Sequence, residues 1–211
     1  MTNPILENIR RSLDRTPESP LQPPPAVYPA RQPGSTEHEI DRFLAEIRLL
    51  AGEAQSLPTA GISAALKELV NAHMVHKAAL WETPLLEQLK VRECLLEMGV
   101  EIVSSSEGKY ALAQCDLGVT EANGALPETG TLVLHSSDKK PRAVSLLPRV
   151  HLAILTPSAL RADLHQVFEE AKGNNYLVFI TGPSRTSDIE LTVTLGVHGP
   201  KNLHVWMLSG E

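Results

Sequence analysis

The sequence predicts an α/β fold with a mostly parallel sheet flanked by helices. Two observations carry that expectation. Short runs rich in Val, Ile and Leu alternate with amphipathic helical stretches along most of the 211-residue chain. The apolar runs are near-continuous, as they are when helices cover both faces of a sheet.

The first part of the chain stands apart from this pattern. Pro4 to Leu13 places Ile5, Leu6, Ile9 and Leu13 on one helical stripe, which makes a short amphipathic arm. Seven of the sixteen prolines then fall between Thr16 and Gly34. Proline at that density removes backbone donors and favours an extended, flexible linker. Residues 1–35 are therefore assigned to an arm and a proline-rich linker, and residues 36–211 to one α/β domain.

Within that domain, Glu37 to Gln55 repeats Ile40, Phe43, Leu44, Ile47 and Leu50 at helical spacing, with Ser35 or Thr36 as cap. Ile62 to Asn71 is a second helix and Met74 to Leu80 a strand. Pro84 opens a helix that runs to Gly99, and Val100 to Val103 follows as a strand. Leu117 to Thr120 and Thr131 to Leu134 read as strands separated by turn formers at Asn123, Gly124 and Pro127. Val150 to Leu155 is a strand, Pro157 to Ala171 a helix, Asn175 to Ile180 a strand, Asp188 to Leu195 a short helix and Leu203 to Leu208 the last strand. Ligands in such folds are expected at the carboxyl ends of the strands.

Nineteen basic against twenty-five acidic residues give a formal charge of -6, with no basic run longer than a pair. Nucleic acid and anionic membranes are poor partners for such a surface. No apolar stretch approaches the ~20 residues of a membrane span, and a cytoplasmic location is expected. Cys94 and Cys115 are the only cysteines, too few for an iron–sulfur cluster held by four thiolates of this chain. Cys94 reads as a small helix residue and Cys115 as an ordinary thiol near a strand start. His73 and His76 lie three apart without a further clustered ligand, so no metal site is expected.

Four clusters collect groups that a plain core does not require: residues 121–131, 142–149, 181–190 and 198–200. In TGPSRTSDIE, Gly182 permits an unusual turn, Ser184 and Thr186 bring hydroxyls, and Arg185 brings a planar fork of donors. Asp188 and Glu190 suit the positive end of a helix, and an ordinary capped turn is the plain alternative. Glu128, in PETGT, stands beside Thr129, Gly130 and Thr131, where its carboxylate can serve as nucleophile, base or acceptor, or be a surface turn residue. Arg142 and Arg149 bracket AVSLLP and can meet an anion or an acid of the same chain. His198 and Gly199 open a tight loop in GVHGP.

Taken in order, GVTEANGALPETGTLVL, RAVSLLPRVHLAIL and ITGPSRTSDIELTVTLGVHGP resemble the LUD-domain family, in particular its LutC or YkgG type of lactate-utilisation protein. The resemblance runs from about residue 36 to the end and implies a NagB/RpiA/CoA-transferase-like fold. It also implies a non-redox component of a system oxidising L-lactate to pyruvate, with two iron–sulfur proteins as partners and no cofactor on this chain. The candidate pocket it implies holds Glu128, Thr129, Gly130, Thr131, Arg142, Gly182, Ser184, Arg185, Thr186, Asp188, His198 and Gly199 around a small anionic ligand. A transferase- or ligase-like enzyme or binding protein for a phosphorylated or CoA-linked metabolite, with Glu128 as catalytic carboxylate, is the alternative.

Overall fold

The computed structural model describes residues 3–14, 31–172, 176–186 and 194–209. Helix α1 (Pro4–Ser12) starts on the Asn3 side chain and leaves its whole apolar stripe, Ile5, Leu6, Ile9 and Leu13, exposed. Most of the proline-rich linker lies outside the described residues.

Helix α2 (Thr36–Leu49) is capped by Ser35, whose hydroxyl accepts from the His38 N–H. It buries Phe43, Leu44 and Ile47, the stripe expected from the spacing. The helix stops short of Gln55, because Ala51 takes a left-handed turn and β1 (Glu53–Pro58) follows at once. That strand was missed: EAQSLP is polar and does not alternate, since it is a half-exposed edge strand. A 3-10 turn then leads into α3 (Ile62–Ala72) and β2 (Lys77–Leu80).

The single helix expected from Pro84 to Gly99 is two, α4 (Pro84–Gln88) and α5 (Val91–Glu97). Lys90 in a left-handed conformation (φ 52°) breaks them, which no proline or glycine in the sequence signals. Strand β3 (Glu101–Val103), helix α6 (Lys109–Leu112), β4 (Leu117–Glu121), β5 (Gly124–Leu126) and β6 (Thr131–His135) follow. The stretch read as turn formers thus contains a strand, β5, paired antiparallel with β6. Next come α7 (Ala143–Leu146), β7 (Val150–Leu155), α8 (Leu164–Glu170) and β8 (Leu177–Thr181). The long helix expected from Pro157 is a 3-10 turn, Pro157–Ala159, and then α8, which starts on the Asp163 side chain.

The predicted helix 188–195 is corrected at its end: Thr194–Leu195 is strand β10, paired antiparallel with β9 (Arg185–Thr186). Residues 187–193, Asp188 and Glu190 among them, lie outside the described residues. Strand β11 (Asn202–Ser209) is the last element among the described residues.

Six strands form one parallel sheet in the order β1-β11-β7-β4-β2-β3. Every residue of β7 is buried and β11 is buried over six consecutive positions, the pattern of a sheet covered on both faces. Gly118 in β4 is part of this packing. A methyl group there would lie 1.9 Å from the Val144 carbonyl oxygen of α7, so only glycine lets the helix lie so close. Strand β8 does not join this sheet, although its apolar run suggested it would. It pairs antiparallel with β6, giving a second sheet of order β5-β6-β8. A bridge from Ala125 to Leu160, past the carboxyl end of β7, ties that second sheet to the first.

Candidate functional site

Helix α2 is the seat on which the two longest motifs rest. Gly130 (φ +59°) lies so close to it that a Cβ would come within 2.9 Å of the Glu46 side chain and 3.0 Å of the Ile47 nitrogen. Gly182 (φ +81°) meets the same helix at its end, where a Cβ would be 3.0 Å from Leu50. Both glycines answer to a positive φ and a close approach together. Glu128 faces Arg42 of α2 across 3.8 Å, an exposed pair of small energetic weight. The guanidinium of Arg185 donates to the Leu50 carbonyl at the C-terminus of α2, where a cation is favoured.

The same chain segments join through side chains. Thr129 and Thr131 hydroxyls are 2.7 Å apart, and Thr131 and Thr181 hydroxyls 2.8 Å, so three threonines from two motifs form one hydrogen-bonded row. Beside this row opens a cleft of about 590 Å³, lined by Glu128, Thr129 and Thr131 together with Leu126, Phe168 and Phe179. Asp163, on its rim, accepts the Arg31 and Gln166 backbone N–H groups, which hold its carboxyl below the usual range.

A smaller cavity of about 210 Å³ shares Phe179 and Thr181 with that cleft. Its lining gathers Gly182, Ser184, His198 and Gly199 from the two Gly-Pro motifs. The Ser184 N–H donates to the Pro200 carbonyl at 3.0 Å and its carbonyl accepts from Gly196 at 2.9 Å, which locks the two segments together. Gly199 is required by this closeness, since a Cβ would sit 3.0 Å from that of Ser184. The cavity opens beside the first residues of β7 and β11, through His151 and Leu203, and not at the carboxyl ends of the parallel strands.

His151 is the residue that the sequence reading missed. It is fully buried, its Nε2 pairs with the Thr120 hydroxyl at 2.9 Å, and its Nδ1 has no hydrogen-bond partner. Burial pushes the imidazole down to about 3, with the neighbouring His204 acting in the same direction, so the ring is neutral at physiological pH. The one available signal was a single polar residue inside the apolar run VHLAIL, which reads at first as a core strand.

Of the other candidates, Thr186 pairs with Thr194 in the β9–β10 ladder, and Arg142 stands exposed with its guanidinium 5.4 Å from the Tyr176 ring centre. Arg142, Arg185 and Thr186 line neither hollow. Arg149 meets an acid of its own chain: it pairs with Asp116 and donates to the His73 and Met74 carbonyls. Cys94 is half-buried, while the thiol of Cys115 is buried and pushed up to about 11, chiefly by desolvation, which keeps it protonated. His73 does meet a histidine, though not His76: its partner is His204, 131 positions away. Among the described residues, no helix is long and apolar enough to cross a membrane.

Comparison with known proteins agrees with this architecture. A solved structure of a DUF162 family protein from Deinococcus radiodurans superposes with a TM-score of 0.63 over 84% of this chain and 100% of that one, at 19% identity, which shows the shared fold. A lactate utilization protein C from Halalkalibacterium halodurans is 34% identical over 147 residues, 64% of each chain. Another from Shouchella clausii is 31% identical over 149 residues. The chain thus spans just under two thirds of the length of these relatives, 64% and 65%. A third, from Geobacillus thermodenitrificans, is 27% identical over 93% of this chain and 91% of its own length. The family model for the LUD domain matches residues 40–208, from α2 to the end of β11 and through both motif-bearing hollows, and the chain belongs to that family.

Proposed function

We propose that the protein serves lactate utilisation as a component without a redox centre of its own, and that it binds a small anionic molecule in the cavity lined by Ser184, His198, Gly199 and His151. The relatives named lactate utilization protein C support the first part. The second part rests on His151, a buried residue of the cavity wall whose Nδ1 has no hydrogen-bond partner. A buried imidazole nitrogen left unpaired costs about 1–3 kcal/mol, which a hydrogen bond from or to a ligand recovers.

The cavity suits a compact hydroxy or keto acid: about 210 Å³ of space, the Ser184 hydroxyl, and imidazoles at His151 and His198. Oxidation of L-lactate to pyruvate releases two electrons and two protons. In this proposal two cysteine-rich iron–sulfur partners take the electrons, since this chain has two cysteines and no set of four thiolates.

The test is a thermal-shift titration of the purified chain with L-lactate, pyruvate, inorganic phosphate and CoA, repeated on Ser184→Ala and His198→Ala. A ligand at ~100 times its dissociation constant adds about 2.7 kcal/mol of stability. Lactate or pyruvate is expected to raise the melting point of the native chain and of neither variant; equal shifts in all three proteins would overturn the assignment. A tagged chain is further expected to recover two iron–sulfur proteins from cells grown on lactate.

A second reading attaches to the larger cleft, where Glu128 stands beside the threonine row above an apolar floor. It makes the protein a transferase- or ligase-like enzyme, or a binding protein, for a phosphorylated or CoA-linked metabolite, with Glu128 as the catalytic carboxylate. A melting shift produced by CoA esters and abolished in Glu128→Gln would favour it over the first.

A further inference from the structure

On the face of β11 opposite the cavity lies a second group of polar side chains. Alternation along the strand sends Leu203 and His151 of the paired strand to one face and His204 to the other, where His204 stands in register with Glu53 of β1. His73, at the C-terminus of α3, completes the group. Its Nε2 is 2.8 Å from the His204 Nε2, with the two rings edge to face, and the His204 Nδ1 is 3.5 Å from a Glu53 carboxylate oxygen. One nitrogen or oxygen from each of the three lies within 4.8 Å of the other two.

We infer that Glu53, His73 and His204 form a three-ligand site for a divalent transition-metal ion, zinc foremost. Two imidazoles and a carboxylate are a recurrent zinc donor set, and the same donors accept copper or nickel in the usual order of affinity. In a tetrahedral site, zinc–nitrogen bonds of about 2.0–2.1 Å place two nitrogens roughly 3.3 Å apart, so the histidine pair has to open by only about half an ångström. The exposed side of the pair has room for that. His73 is half-buried at a helix end, and the three residues line a cleft of about 400 Å³ that also holds Gln55 and Glu68. The fourth position faces this cleft, open to water or to a ligand atom.

The surroundings hold the donors in place. Met74, in a left-handed conformation (φ 48°), turns the chain just after His73, and the Arg149 guanidinium donates to the His73 and Met74 carbonyls at 2.6 and 3.2 Å.

The experiment takes the full chain, stripped with a chelator, and titrates it with Zn²⁺ by calorimetry and with Co²⁺ by visible absorption. One equivalent of Zn²⁺ is expected to bind and to raise the melting temperature, and Co²⁺ to give the intense bands of a four-coordinate N/O site. His73→Gln and His204→Asn are each expected to weaken Zn²⁺ binding at least tenfold, and Glu53→Gln to weaken it less. His73→Gln and Glu53→Gln alter side chains that are not fully buried, so circular dichroism of the stripped variants shows whether they fold as the native chain does. Absence of stoichiometric binding by the native chain, or binding that a folded His73→Gln variant retains in full, would overturn the site and leave only a histidine–histidine hydrogen bond.

Discussion

The two sheets of this protein obey different rules. In the parallel sheet, β7 and β11 bury side chains on both faces, and their backbones pair on both edges with neighbouring strands. In the small antiparallel sheet, β6 buries its first four residues, but its partner β8 leaves two of its five, Phe179 and Thr181, at the surface. The first sheet is a scaffold whose positions are filled by packing. The second presents side chains, and both the larger cleft and the smaller cavity use its residues Phe179 and Thr181 as a shared wall. Both hollows thus open where a sheet has a free face next to a rigid one.

Substitutions can break or sharpen this contrast. The largest loss is expected from Gly118→Ala in the parallel sheet, where the new methyl group would overlap a backbone oxygen of α7. A destabilisation of at least about 3 kcal/mol is expected by chemical denaturation, with no ligand able to restore the native melting point.

Next comes the ion pair that fastens α2, the seat of the second sheet, to the chain before it. Glu39 is 3% exposed, and both its oxygens accept from Arg31 Nη2, with the Gly34 N–H as a further donor. Arg31→Ala strands that carboxylate and is expected to cost about 3 kcal/mol. Burial works against the ionised form of Glu39, but the Gly34 N–H and the Arg31 cation outweigh it and hold the carboxyl below its ordinary value of 4.5. This stabilisation is complete above pH 4.5 and is lost as pH falls through the lower folded value. Glu39→Gln is expected to flatten that acid limb in a pH series of melting curves.

Within the second sheet the effects shrink. Gly130→Ala meets both a left-handed backbone and the flank of α2, and about 1–3 kcal/mol is expected, read as a shift in the denaturation midpoint. Thr131→Val removes the middle hydroxyl of the threonine row, worth about 1 kcal/mol, while leaving the parallel sheet as it was. Equal losses from Gly118→Ala and Thr131→Val would erase the distinction between scaffold and presenting sheet.

The contrast also explains what could be read from the amino acids. Strands buried on both sides, such as β7 and β11, are unbroken apolar runs and stood out, as did the spacing of Phe43, Leu44 and Ile47 on α2. Edge and presenting strands did not. The residues of β1 pair with one neighbour and four of the six are exposed, and β5 is three residues long inside a string of turn formers. Motif residues were legible as a set, because ETGT and the two Gly-Pro segments keep unusual glycines and hydroxyls that local structure alone does not demand. What each residue does was less legible. Arg185 looked like an anion holder, yet it donates to the end of α2, a contact between positions 135 apart. His151, His204 and Glu53 acquire their neighbours only when distant strands pair, and linear spacing carries no trace of that.

The row of Thr129, Thr131 and Thr181 has a property that its distances alone do not express. Three hydroxyls in line can be polarised in two senses, because in each link either oxygen can be the donor. A guest in the cleft that accepts the proton of Thr129 forces Thr131 to donate toward Thr129 and Thr181 to donate toward Thr131. Thr181 then shows only lone pairs to the cavity on its other side. A guest that donates to Thr129 selects the opposite sense, and Thr181 shows a proton. The row can therefore be polarised in either sense, and a guest in the cleft that hydrogen-bonds to Thr129 would select one of them.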